Sequence, residues 1–92
     1  MMPEAEIKKK IKDYLKEKGA FWSAVKGGAH TKPGDPDLIV CYKGKFIGIE
    51  AKTPTGVQSP MQKLREQQIK DAGGIYILAR SVDDVKEGLK DL

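Results

Sequence analysis

A chain of 92 residues is long enough for one small domain and too short for two. Seventeen Lys and Arg against 13 Asp and Glu leave a formal charge of +4, which favours acidic partners such as nucleic acid without singling one out. The lone cysteine, Cys41, excludes an intrachain disulfide, no apolar run approaches membrane-spanning length, and the opening "MMPEAE" lacks the apolar stretch of a signal peptide. A cytoplasmic protein that does not contact a membrane is the expectation.

The first element reads as a helix. Ile7, Ile11, Tyr14 and Leu15 recur at helical spacing, Pro3 suits the first turn and Gly19 the stop. The aromatic and β-branched stretch "AFWSAVK", Ala20 to Lys26, predicts a strand. "GGAHTKPGDP", Gly27 to Pro36, is a loop with three glycines and two prolines. Asp37 to Tyr42 and Phe46 to Lys52 read as two strands joined by a tight turn at "KGK", Lys43 to Lys45. After a loop at "TPTGVQ", Ser59-Pro60 is an N-cap followed by proline at the first helical position. Met61, Leu64, Gln68, Ile69 and Ala72 are expected to form the inner stripe of that helix, and Gly73-Gly74 to end it. "IYILA", Ile75 to Ala79, predicts a short buried strand. Ser81 then caps a last helix with Val82, Val85 and Leu89 facing inward. The order α-β-β-β-α-β-α predicts one α/β domain over residues 1–92, a mixed sheet flanked by helices.

The chemistry concentrates at one end of the hairpin. Side chains alternate along a strand, so Glu50 and Lys52 share a face while Ile47, Ile49 and Ala51 point to a core. The tight turn places Asp37 opposite, or one step from, Glu50. Two carboxylates that close repel unless a cation lies between them. Mg²⁺ suits such a pair, because it takes carboxylate oxygens and keeps several waters. Lys52 beside it is placed to orient or help deprotonate a water, and to stabilise charge growing on a phosphate. Taken singly, each feature is ordinary. Glu-x-Lys is a common solvated strand face, and Pro-Asp is a common turn before a strand. Their joint occurrence across one hairpin is the specific signal.

Pro36-Asp37 followed by Glu50-Ala51-Lys52 resembles the PD-(D/E)xK nuclease signature. With Glu4-x-x-Ile7, the Gly-rich loop, Gly34-x-Pro36-Asp37, Ser59-Pro60-x-Gln62 and Ala72-Gly73, almost the whole chain resembles the virus-type replication-repair nuclease (VRR-NUC) domain. The resemblance implies a restriction-endonuclease-like core and a Mg²⁺- or Mn²⁺-dependent endonuclease that hydrolyses DNA phosphodiesters with a metal-activated water. Small stand-alone members resemble Holliday-junction resolvases, which implies branched DNA as partner and a homodimer. Asp37 and Glu50, with the carbonyl of Ala51, would hold the metal. Lys52 would be the catalytic lysine, and Gln62 and Glu4 would belong to the active site. Outside the family pattern Gln62 is an ordinary exposed helix residue. For the helix acid, Glu4 falls within the arc set by Ile7, Ile11, Tyr14 and Leu15 at about 100° per residue, and Glu6 falls outside it. Both acids would also complement the helix N-terminal dipole.

For the nucleic acid, Lys26, Gly27 and Lys32 are expected contacts, with Gly28, His30 and Thr31 beside them, since glycines let a backbone approach phosphate closely. Trp22 is placed either to stack on a base or to pack in the core. The basic run "KKKIKDYLKEK" reads equally as a phosphate-binding surface or the solvated side of an amphipathic helix. A rival function is a non-catalytic nucleic-acid-binding module, because the opening α-β-β-β-α order is that of a double-stranded RNA-binding domain. Asp37 and Glu50 would then repel phosphate with no cation to offset them.

Overall fold

The computed structural model describes residues 2–25 and 33–92. Seven elements follow in the predicted order: α1 (Glu4–Glu17), β1 (Phe21–Ala24), β2 (Leu38–Tyr42), β3 (Lys45–Ala51), α2 (Pro60–Asp71), β4 (Ile75–Ala79) and α3 (Val82–Leu89). The four strands form one sheet in the order β1-β2-β3-β4. β1, β2 and β3 are antiparallel neighbours, and β4 runs parallel to β3. The parallel fourth strand requires the α2 crossover between β3 and β4. It also separates this fold from a closed three-stranded antiparallel module.

The sheet has two unlike faces. Leu38, Val40, Ile47, Ile49, Ala51, Ile77 and Ala79 point to one side and pack with Ile7, Ile11 and Leu15 of α1 and Val85 and Leu89 of α3. This is the core, and the alternation that placed Ile47, Ile49 and Ala51 in it holds. Trp22 lies on this side too, partly buried against the core, with the Lys12 ammonium 5.6 Å from its ring centre. Lys9, Lys10, Lys16 and Lys18 of the same run are exposed, as on the solvated side of an amphipathic helix, while Lys8 is half-buried.

The opposite face carries Gly48, Glu50 and Tyr76 beneath α2. Here the predicted inner stripe of α2 is wrong in part. Met61, Leu64, Gln68 and Ala72 are exposed, and no residue of the helix is fully buried. The side turned inward is Gln62, Arg65, Glu66 and Ile69, all half-buried. Of the expected stripe only Ile69 belongs to it. Five further boundaries shift. Pro3 is the N-cap residue, extended at ψ 151°, rather than part of the first turn. β1 ends at Ala24, before Lys26. Asp37 lies just ahead of β2, and Lys52 just beyond β3. The hairpin turn consists of Lys43 and Gly44, at φ 50° and 77°. Positive φ at both positions is what a two-residue turn matched to strand twist requires, and it puts Lys45 into β3.

α2 begins with a complete capping box, as Ser59-Pro60 suggested. The Gln62 backbone N–H donates to Ser59 Oγ at 3.1 Å, and the Ser59 N–H donates to Gln62 Oε1 at 2.8 Å. It ends at Gly73-Gly74, where the two N–H groups return to Lys70 and Ile69 carbonyls at 3.0 and 2.8 Å. Ser81 is the N-cap of α3 but makes no side-chain cap bond. Asp84 turns back instead, and its Oδ2 accepts from the Arg80 N–H at 2.8 Å.

Candidate active site

The hairpin register decides the geometry of the acids. Leu38 pairs with Ile49, so the next position back, Asp37, falls opposite Glu50. The Asp37 side chain extends the ladder: its Oδ2 accepts from the Ala51 N–H at 2.9 Å, and its backbone carbonyl accepts from the Val25 N–H at 2.8 Å. Asp37 is thereby fixed to both β3 and the end of β1.

Two devices hold the preceding loop on α2. Gly34 adopts φ +85°, and a Cβ there would lie 2.5 Å from the Met61 backbone, so only glycine lets the loop approach the helix this closely. Asp35 Oδ1 accepts from Arg65 Nε at 3.1 Å. Asp35 thus anchors the loop, and Asp37 faces the sheet. On β3, a side chain at Gly48 would press on Ile69 and Pro36, each 3.0 Å from the added Cβ. The bare backbone there leaves room for the acid end of the hairpin to be covered.

Glu50 is the one buried charged residue among those described, with 2 % of its surface exposed. Its Oε1 is buried without a hydrogen-bond partner. Burial is the main cause pushing its carboxyl up to about 8. A hydrogen bond with Asp37 and the Asp37 charge add to the rise, Lys52 opposes it, and Glu4 adds a little. A buried carboxyl in this state is neutral at pH 7 unless a cation joins it. Tyr76 lies on the same face, its hydroxyl pushed up to about 12 chiefly by burial, against an opposing hydrogen bond from Gln58. Gln58 Nε2 donates to both Tyr76 Oη, at 3.1 Å, and Glu66 Oε1, at 3.0 Å. The polar side of α2 is thereby tied to the floor of the site.

Glu4 and Glu6 separate as the helical arc predicted. Glu6 is exposed, whereas Glu4 is half-buried and reaches the site through a residue that sequence reasoning missed. Lys8 Nζ lies 3.4 Å from Glu4 Oε1 and 3.4 Å from Asp37 Oδ1. Partial burial pushes the Lys8 ammonium down, but the Asp37 charge and hydrogen bonds to Asp37 and Glu4 outweigh it and hold it above its usual range. The available signal was its spacing: Lys8 is four residues after Glu4, on the same arc. Gln62 is half-buried, and its Oε1 is engaged in the capping box, leaving its NH₂ group for a ligand. Lys26, Gly27, Gly28, His30, Thr31 and Lys32 lie outside the described residues.

Sequence reasoning also passed over Arg80. Its Nη1 donates to the carbonyls of Thr53 and Gly56, each at 2.7 Å, pinning the loop that follows Lys52. With the Lys52 N–H bonded to the Ala79 carbonyl at 2.9 Å, the lysine backbone is fixed from both sides.

The donor set suits a hard divalent cation. It offers two facing carboxylates, one with an orphaned buried oxygen, beside the backbone of Ala51. Among the described residues no three His, Cys, Asp or Glu side chains group as a metal site.

A scan of protein-family models and a search of curated protein sequences gave no match. Comparison with solved structures found one described as "VRR_NUC domain", 19 % identical, at a TM-score of 0.78 over 95 % of this chain and 94 % of that one. The chain has the VRR-NUC fold, a four-stranded mixed sheet flanked by helices.

Proposed function

We propose that this protein is a metal-dependent nuclease that hydrolyses DNA phosphodiesters. The observation that carries the reading is the buried, unpartnered Glu50 oxygen facing Asp37 on a VRR-NUC fold. Burying a carboxylate there disfavours folding unless a cation or proton offsets its charge. In this reading Asp37, Glu50 and the Ala51 carbonyl hold Mg²⁺ or Mn²⁺. The metal supplies Lewis acidity at the scissile phosphate and a water nucleophilic at neutral pH.

The chain's own groups do the rest. Lys52 Nζ, on the Glu50 face, donates to a phosphate oxygen as charge grows there and helps orient the attacking water. Asp37, held by the Ala51 N–H, keeps its carboxylate plane fixed while substrate enters. Glu4 acts at one remove, through Lys8. Gln62 offers its NH₂ group at the N-terminus of α2, where backbone dipoles also favour phosphate.

The preferred substrate is taken to be branched DNA, cut by a homodimer with two symmetric sites. Lys26, Gly27 and Lys32 are its proposed phosphate contacts, and the cytoplasm its proposed location. An uncovered apolar row supports self-association. Phe21, Cys41 and Phe46 are neighbours across β1, β2 and β3 on the α2 face, and all three are exposed. Phe46 also lines a groove of about 360 Å³ with Gln68, Ile69, Ala72 and Gly74. No helix among the described residues is long and apolar enough to cross a membrane.

The test is cleavage of four-way junction, duplex and single-stranded DNA in Mg²⁺, Mn²⁺ and EDTA, beside Glu50→Ala and Asp37→Asn. Metal-dependent paired nicking of the junction, lost in both folded variants, is expected. Binding without cleavage in every metal would instead establish a non-catalytic nucleic-acid-binding module.

A further inference from the structure

We infer that Lys8 is a resident counter-cation of the carboxylate site, which a divalent metal must displace and which therefore sets how tightly the free protein takes metal. The inference rests on the metal-site reading above. It begins with the two oxygens of Asp37. Oδ2 is committed to the Ala51 N–H at 2.9 Å. Oδ1 is the oxygen left to face a ligand, and the Lys8 ammonium stands 3.4 Å from it. The same ammonium lies 3.4 Å from Glu4 Oε1, so one positive charge is shared between two carboxylates.

The position is built rather than incidental. Lys8 follows Ile7 and precedes Ile11, both buried to 1 % exposure or less, so its backbone is fixed on α1. Its side chain is about one-third exposed, at 32 %, which leaves the ammonium a route to solvent. A lysine reaches its partners on a flexible stem and presents a compact charge, properties suited to a cation that comes and goes. A divalent ion bound to Asp37 Oδ1 and Glu50 would lie within a few ångström of an unmoved ammonium. Like charges at that separation repel by enough to weaken binding on the order of tenfold at a partly exposed site. Metal entry therefore requires Lys8 to move away.

Nucleic acid gives the displaced ammonium a destination. A phosphate at the site edge is an alternative anion for Lys8, and pairing with it frees Asp37 Oδ1. Metal and DNA then assist each other's binding through this residue, and the coupling is reciprocal by linkage.

The experiment is Mn²⁺ titration of the full chain at pH 8, free Mn²⁺ being followed by electron paramagnetic resonance, for wild type, Lys8→Met and Lys8→Gln. Circular dichroism establishes that each variant is folded. Mn²⁺ binding about tenfold tighter in either folded variant is the expected result. In EDTA both variants should melt below wild type, because Glu4 and Asp37 lose their counter-charge, and saturating Mn²⁺ should narrow that gap. Wild-type binding with unchanged or weaker affinity in the folded variants overturns the role of Lys8 alone. No binding by any of the three at millimolar Mn²⁺ overturns the metal reading and this inference with it.

Discussion

Glu50→Gln should stabilise the metal-free protein and at the same time abolish its stabilisation by metal. The wild-type carboxyl is buried to 2 % exposure with one orphaned oxygen, and burial with Asp37 opposite pushes it up to about 8. In the unfolded chain the same group titrates near 4.5. Between those values the folded protein holds a proton that the unfolded chain has lost. Stability from this group is therefore fully present below about pH 4.5, falls as pH rises, and is lost once pH passes about 8. A glutamine of the same shape has no charge to bury. At pH 8.5 in EDTA the variant should exceed wild type by ~5 kcal/mol, a rise in melting temperature on the order of 25 °C for a domain of this size. The advantage should shrink steeply toward pH 5. Adding Mn²⁺ should reverse the order, since wild type gains stability from binding and the variant lacks the ionisable oxygen. Thermal denaturation followed by circular dichroism, at pH 5 and 8.5 with EDTA or Mn²⁺, reads all of this. Equal melting of the two proteins at pH 8.5 in EDTA, or equal gains from Mn²⁺, would refute the argument that Glu50 is a strained acid awaiting a cation.

Two further changes test the surroundings. Arg80→Ala removes the donor to the Thr53 and Gly56 carbonyls, which should cost roughly 2 kcal/mol and lower the melting temperature by about 10 °C. Proteolysis should then find the loop after Lys52, and uncut loops at equal protease would count against the pinning role. Phe46→Glu places a charge in the exposed row beside Cys41 and in the adjacent groove. Analytical ultracentrifugation should show a dimer for wild type and a monomer for this variant, and an unchanged mass would remove that face from the interface.

The hairpin was legible in the sequence because its logic is local. A tight turn sets the register to within one step, the Lys43-Gly44 turn then puts Asp37 opposite Glu50, and alternation sends Ile47, Ile49 and Ala51 to the core. The half-burial of Glu4 beside an exposed Glu6 was likewise a matter of angle along one helix. The α2 stripe failed because it assumed that the helix buries its apolar residues. Met61 and Leu64 are exposed, and Gln62, Arg65 and Glu66 turn inward. Lys8 and Arg80 were illegible for another reason. Each acts across elements distant in sequence, Lys8 on Asp37 and Arg80 on Thr53 and Gly56, and neither belongs to a local pattern.

The inverted helix follows from the polar groups it meets. The face of the sheet that α2 covers holds Glu50 and Tyr76, groups that an apolar lid would leave without partners. Gln58 and Glu66 answer Tyr76, Arg65 answers Asp35, and Ile69 is the one inward apolar residue of α2, meeting Pro36 over Gly48. The stabilising apolar packing is concentrated on the other face, between α1 and α3. An apolar α2 interior would pack more tightly, but it would strand the polar floor that the acids need. The hydrophobic residues excluded from that interior, Met61 and Leu64, then remain on the outer surface of the helix. The partners that this polar side supplies to Tyr76 and Asp35 thus account for both the failed stripe and the exposed apolar side chains of α2.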